Sequence, residues 1–374
     1  MTPLLGRSLL LAALTAAAPA SSPRGVVQHR GDEARTARFH LAPIQGTPRQ
    51  IWTAALPAEY LGTPLVAGGR LVSGGSDGTL YVLDARTGDT VWTATGFEAM
   101  ENGTVIAGDV VLAAGMSRVV RALALADGTE RWAFQATAFV FAPPAVIDGV
   151  AYVATYERLY ALAVADGRML WEAPTLGQMA FVSAPACTKD LVVVAAGTRL
   201  LAFDRASGAE RWRIDAPQQF WNVCVDRSLA YVGNSDGSFR AYALEDGSER
   251  WRFRSAWPGS DDIWSAPALA EGVVYAGSRD GSLYALDSPT GARRWAFATG
   301  GDAVGDPVIA NGALYLSDSN HALPPGVRRL YALDPGSGRE LWRWETSGTI
   351  LTNPAPDKKV LYVTLAGKII ALAD

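Results

Sequence analysis

Short apolar runs bounded by Gly, Asp, Asn or Pro recur along most of this chain, with the period of strands rather than of amphipathic helices. Their order repeats. Leu80-Tyr81-Val82-Leu83-Asp84, Thr87-Gly88 and Trp92 return as Leu283-Tyr284-Ala285-Leu286-Asp287, Thr290-Gly291 and Trp295. They return again as Leu330-Tyr331-Ala332-Leu333-Asp334, Ser337-Gly338 and Trp342, and looser copies end at Trp132, Trp171, Trp212 and Trp251. In all seven copies a glycine stands four residues before the Trp: Gly88, Gly128, Gly167, Gly208, Gly247, Gly291 and Gly338. Successive Trp residues lie 40, 39, 41, 39, 44 and 47 positions apart. A period of this length marks a repeat architecture.

Each unit reads as four short strands. In the sixth, Ser265–Leu269 is the expected inner strand and Val273–Gly277 the second; Ser282–Asp287 follows an Asp-Gly turn and Arg293–Phe297 a Thr-Gly turn. A four-stranded antiparallel sheet repeated every ~40 residues is a propeller blade. The Trp of the outer strand can lie on the neighbouring blade and donate its indole N–H as a clamp. The final run, Lys368 to Asp374, is a third strand with no turn or Trp after it. Arg49-Gln50-Ile51-Trp52 looks like the missing fourth strand, with Pro48 where the turn glycine would stand. The reading is therefore an all-β, eight-bladed propeller over residues 49–374, closed by its N-terminal strand, with clamps at Trp52, Trp92, Trp132, Trp171, Trp212, Trp251, Trp295 and Trp342. Closure removes sheet edges that would otherwise pair with other chains.

The residues before the repeats read differently. Arg7, an apolar stretch from Leu9 to Ala18 and Ala18-Pro19-Ala20 form a secretory signal over residues 1–20. Residues 21–48 are polar and irregular, and are expected to be a tether. The first Cys is Cys187, so no cysteine is placed to carry an N-terminal lipid anchor. The expectation is an exported monomer in the periplasm, cell envelope or medium. Composition agrees with the fold: 38 Gly among 374 residues serve repeated turns, and only 19% of residues are charged. A net charge of −4 leaves no basic surplus for nucleic acid. No apolar run is long enough for a transmembrane helix.

The pattern A-x-D-x-x-T-G-x-x-x-W, seen in Ala285 through Trp295, resembles the tryptophan-docking motif of pyrroloquinoline-quinone (PQQ) type propellers. WD40 repeats fit poorly, since no Asp follows a clamp Trp. The resemblance has two branches: the quinoprotein alcohol dehydrogenases, and BamB-like non-catalytic propellers of the outer-membrane β-barrel assembly machinery. The dehydrogenase branch implies a quinone, a Ca²⁺ held by carboxylates and an amide, and in many members a pair of adjacent cysteines. Here Cys187 and Cys224 are far apart in sequence, and no Ser/His/Asp, HExxH or CxxC signature appears. No cofactor is therefore expected, with PQQ and Ca²⁺ as the secondary expectation. The absent anchor cysteine departs from the BamB lipoprotein pattern.

Three groups of residues are the candidates for function. A proline column opens the inner strands (Pro64, Pro144, Pro185, Pro267, Pro307, Pro354), and just before it stand Asn222, Asp306 and Asn353, with Glu101 and Asn102 nearby. These could line an oxygen-rich funnel mouth for a cation or small ligand. Trp221, Trp257 and Trp264, with Phe220, Asp261 and Asp262, fall in the connections into blades five and six, where an extended loop lies. Aromatics beside carboxylates on loops suit a protein or peptide partner. Cys187 and Cys224 lie on inner strands of neighbouring blades, offset by one position, so their thiols either meet across the interface or both point away. A disulfide is chemically permitted in an exported protein. The function that this supports is a binding or scaffolding module similar to BamB, with a quinoprotein-like sensor or dehydrogenase as the alternative.

Overall fold

The computed structural model describes residues 26–28, 30–32, 34–39, 44, 46–100, 103–175, 181–255, 263–301, 304–310, 312–318, 327–347 and 353–374. The proposed signal, residues 1–20, lies outside the described residues. Eight sheets form a ring, each with four antiparallel strands running in order from inside to outside. Blade one is Leu65–Ala67, Arg70–Gly74, Leu80–Asp84 and Thr90–Ala94. The last blade takes its outer strand from the other end of the chain. The strand Arg49–Ala55 (β3) pairs with Lys368–Ala373, from Arg49 opposite Ala373 to Ala55 opposite Lys368.

The second and third strands of each blade are mostly buried on both faces, and the core is a ring of separate clusters, each shared by two neighbouring blades. In blade six the inner strand is Ala268–Ala270, beginning three residues later than the apolar run implies. Pro267 has no N–H to give a ladder. Ahead of it the Ser265 hydroxyl takes over, donating to Gly277 O at 3.0 Å and accepting from Gly277 N at 2.8 Å.

The turn glycine and the clamp Trp prove to belong to each other across the blade interface. A Cβ on Gly88 would lie 2.7 Å from the Trp52 ring, and one on Gly291 would lie 2.6 Å from that of Trp251. The same contact joins Gly128 to Trp92, Gly167 to Trp132, Gly208 to Trp171, Gly247 to Trp212 and Gly338 to Trp295. These glycines are also left-handed, at φ of 80° for Gly88 and 72° for Gly291. Two constraints, one conformational and one steric, therefore select the same residue.

Seven indoles complete the clamp with a hydrogen bond. Trp92, Trp132, Trp171, Trp212, Trp251 and Trp295 donate to Leu125, Val164, Arg205, Leu244, Ser288 and Pro335 carbonyls at 2.8–3.1 Å. Trp342 meets no such turn of a following blade, and donates instead to Ile44 O at 3.0 Å. Trp52 departs from the pattern. Its N–H is buried without an acceptor, and the equivalent carbonyl, Ala85 O, takes the Tyr362 hydroxyl at 3.1 Å.

The tether reading of residues 21–48 needs correction for its described part, which is built into the propeller axis. Val26–Gln28 (β1) pairs antiparallel with the inner strand Thr104–Ala107 of blade two. Arg38–Phe39 (β2) pairs in parallel with the inner strand Val308–Ala310 of blade seven. Between them the chain reverses, with Ala37 N bonded to Arg30 O at 2.8 Å. Polarity misled the sequence reading, because this segment is anchored largely by backbone groups and two arginines, with only small apolar contributions from Ala34, Ala37 and Phe39. Arg30 and Arg35 are 6% and 1% exposed.

Candidate functional site

Connections leading from each outer strand to the next inner strand share one face, here the upper, with the loops joining second and third strands. Gly62 N donates to Gly74 O at 2.8 Å and Phe97 N to Gly78 O at 3.3 Å. The lower face carries the tight turns, joined by bonds such as Ser288 N to Gly272 O at 2.9 Å.

The upper face holds the described part of the aromatic candidate site. Trp221 and Trp264 are both half-buried, and each has a buried indole N–H without a partner. Asn222 Nδ2 donates to Trp264 O at 3.4 Å, which ties the mouths of blades five and six together. Phe220 is corrected: it is fully buried in the core between blades four and five, 6.2 Å from the Tyr242 ring. A register irregularity between Phe220 and Val223 breaks the strand's alternation and places both of them in this core. Trp257, Asp261 and Asp262 lie outside the described residues.

Three aromatics that sequence reasoning passed over extend this surface. Phe181 meets Trp221 edge-on with centroids 5.2 Å apart, Phe141 is 56% exposed, and Phe139 packs on Phe141 at 5.9 Å. All sit in connections between an outer strand and the next inner strand, entering blades three and four. Their signal was available as aromatic residues outside the clamp positions, but tryptophan alone does not reveal it.

At the funnel mouth the structure unites Asp306 and Asn353. Asp306 Oδ2 accepts from Asn353 Nδ2 at 2.9 Å and Oδ1 from Ala266 N at 2.7 Å. Arg30 Nη1 stands 3.4 Å from the same Oδ2. Asn222 serves Trp264 instead, while Glu101 and Asn102 lie outside the described residues. Below this mouth, Arg30 Nη2 donates to Pro267 O at 2.5 Å and Pro307 O at 3.1 Å. Arg35 Nε donates to Pro185 O at 3.1 Å, and its Nη2 to Pro143 O at 3.0 Å and Pro144 O at 2.8 Å. Burial pushes both guanidiniums down, Arg35 to about 10, which leaves it charged at neutral pH.

Among the described residues, which leave out Glu101 and Asn102, this donor set does not supply a Ca²⁺–quinone site. Calcium takes six to eight oxygen ligands. Here the one described carboxylate at the mouth, Asp306, already receives an amide, a backbone N–H and a cationic guanidinium. Among the described residues no three of His, Cys, Asp and Glu converge. The cysteines take the outward alternative. Cys187 belongs to the core between blades three and four and Cys224 to that between blades five and six; both are buried and neither forms a disulfide, which corrects that pairing. Burial pushes the Cys224 thiol far up, so it stays protonated.

One buried carboxylate on the upper side of blade seven carries a pH effect. Asp318 is fully buried; its Oδ1 accepts from Arg329 N at 2.9 Å and its Oδ2 has no partner. Desolvation, the largest cause, raises its pKa above 3.8. The stability that it contributes is complete below 3.8 and is lost as pH rises through the raised value. In Asp318→Asn, urea unfolding should lose less stability between pH 4 and pH 7 than wild type does. Parallel stability curves for the two chains would refute it.

The family described as outer membrane protein assembly factor BamB matches residues 44–103, 95–219, 157–261 and 235–373. The chain belongs to the BamB family. Among curated BamB relatives, that of Alkalilimnicola ehrlichii is 30% identical over 42% of this chain and 33% of its own length. The serine/threonine-protein kinase AfsK of Streptomyces griseus is 32% identical over 44% of this chain, but over only 22% of its own length. The alignments thus span a third or less of these two relatives. The solved BamB of Moraxella catarrhalis superposes with a TM-score of 0.66 at 16% identity, covering 87% of this chain and all of that one. Quinohemoprotein alcohol dehydrogenase of Comamonas testosteroni gives 0.75 at 14% identity, covering 96% and 81%. At these identities, both solved structures bear on the fold alone.

Proposed function

We propose that this BamB-family propeller is an exported, non-catalytic binding module that docks a protein surface or extended peptide on its upper face, around blades four to six. The observation that supports it most is the run of aromatics on the upper face of successive blades, Phe181 and Trp264 in connections and Trp221 at the start of an inner strand, with two unpartnered indole donors. Half-buried aromatic anchors with a polar handle are what protein hot spots use. The reading of the first 48 residues as signal and tether is narrowed accordingly: a signal over residues 1–20, then a segment that joins the propeller.

The test is a cross-linking capture from envelope extract with the wild-type chain and the Trp221→Ala/Trp264→Ala chain. Partners that depend on the upper face should fall at least about tenfold in recovery with the substituted chain, while its near-ultraviolet circular dichroism stays native. Equal recovery of every partner overturns the assigned surface. A titration with PQQ and Ca²⁺, read by Trp fluorescence and dye-linked alcohol oxidation, addresses the quinoprotein alternative. Saturable binding with turnover would replace the scaffold reading.

A further inference from the structure

The axis of this propeller is lined by hydrogen-bond acceptors. The proline column turns a set of backbone carbonyls inward, and a proline has no N–H with which to answer a neighbouring carbonyl. Those carbonyls need donors. Water would serve, but the described chain supplies two guanidiniums, the side chain with the most N–H donors and a permanent charge. Arg30 reaches the carbonyls of Pro267 and Pro307, and Arg35 those of Pro143, Pro144 and Pro185. Backbone bonds complete the fit: Val225 N donates to Ala34 O at 3.0 Å, Leu269 N to Thr36 O at 2.8 Å and Ile309 N to Ala37 O at 2.8 Å. With β1 on blade two, a single short segment engages blades two through seven.

The segment folds into a turn of its own, with Asp32 Oδ1 accepting from Thr36 N at 2.8 Å and Asp32 O from Arg35 N at 3.2 Å, and the site holds that turn in place. Arg30, Arg35 and Ala37 adopt φ of 68°, 61° and 54°, a region that L-residues avoid unless surroundings impose it. Its apolar support is small: Ala37 joins the core between blades six and seven, and Ala34 and Phe39 pack on neighbouring clusters. Its specificity resides in two arginines five positions apart and in a backbone that can add to inner strands, one mode of peptide recognition by sheet edges.

We propose that the axial channel is a binding site for peptides that present two arginines in the spacing R-x₄-R on a reversing loop, and that the described residues between 26 and 39 are its intramolecular occupant. A partner presenting the same motif would compete for the carbonyl column with the chain's own segment. The competition is steep, because a tethered occupant acts at an effective concentration of order millimolar.

The test uses the full chain carrying Arg30→Ala and Arg35→Ala, and a fluorescent synthetic peptide with the sequence of residues 25–40. Fluorescence anisotropy should show saturable binding to the substituted chain at least ~100-fold tighter than to wild type, whose site is occupied. The same two substitutions in the peptide should abolish it. Equal binding to both chains, no binding to the folded substituted chain, or unimpaired binding by the substituted peptide overturns the proposal. If the doubly substituted chain does not fold, Arg35→Lys gives an independent reading, since lysine keeps the charge but cannot fork onto three carbonyls. Hydrogen exchange should then quicken at Val225, Leu269 and Ile309 by about tenfold or more, with outer-strand amides unchanged. Unchanged exchange at those three amides would count against the receptor.

Discussion

Gly291→Ala is expected to destabilise the propeller by about 2–5 kcal/mol, a large loss for one methyl group. The left-handed backbone contributes about 1–2 kcal/mol, and forcing a Cβ against the packed Trp251 ring adds about 1–3 kcal/mol. The two contributions are separable within the same blade. Gly272 has a similar φ of +73°, and a Cβ added there would meet nothing within 4 Å. Gly272→Ala should therefore show only the backbone contribution, about 1 kcal/mol. Urea midpoints of the two variants, compared with wild type, decide the matter. Equal losses would mean that the glycine is selected by its turn alone and that the indole yields freely.

Trp342→Ala should cost about 3–5 kcal/mol, the range for a buried large aromatic. Trp342 is 5% exposed, and its hydrogen bond goes to Ile44 O, shortly before the closing strand. The sharper comparison removes only the N–H. Trp342→Phe leaves a buried carbonyl unanswered, whereas Trp52→Phe removes a donor that has no acceptor. Trp342→Phe should therefore exceed Trp52→Phe by about 1–3 kcal/mol. Similar losses in the two would show that the indole hydrogen bond contributes little and that ring contact is the whole clamp.

The repeat made the blades legible because its signal lies in local chemistry. Asp-Gly and Thr-Gly turns and a Trp at constant offset report strands and interfaces directly, so blade number and closure by β3 follow from counting. The candidate site was less legible, for two physical reasons. Side-chain direction depends on strand phase, and a register irregularity changes it; between Phe220 and Val223 the pairing slips, and Phe220 is core where Trp221 is partly open. Long-range contacts made by a segment's backbone leave no apolar pattern. Nothing in the run from Arg30 to Ala37 looks like a buried segment, yet its arginines answer carbonyls 108 to 277 positions away. A pair of arginines preceding a repeat whose inner strands open with proline is the signal that was available, and it becomes readable only once the carbonyls have a direction.

The seat of that segment constrains the order of assembly. Its residues precede every blade in the chain, but the groups that hold it come from blades two through seven, and the strand that follows it pairs with the C-terminal Lys368–Ala373. Synthesis thus produces the occupant first and its last binding groups hundreds of residues later. Loops of that length are slow to close, since the entropy of bringing their ends together is met before any contact rewards it. Early blades can stack on one another as they form, while the N-terminal segment waits without a site. Folding of this chain is therefore expected to end at its beginning, with insertion of the axial segment and closure by β3 as late, coupled steps.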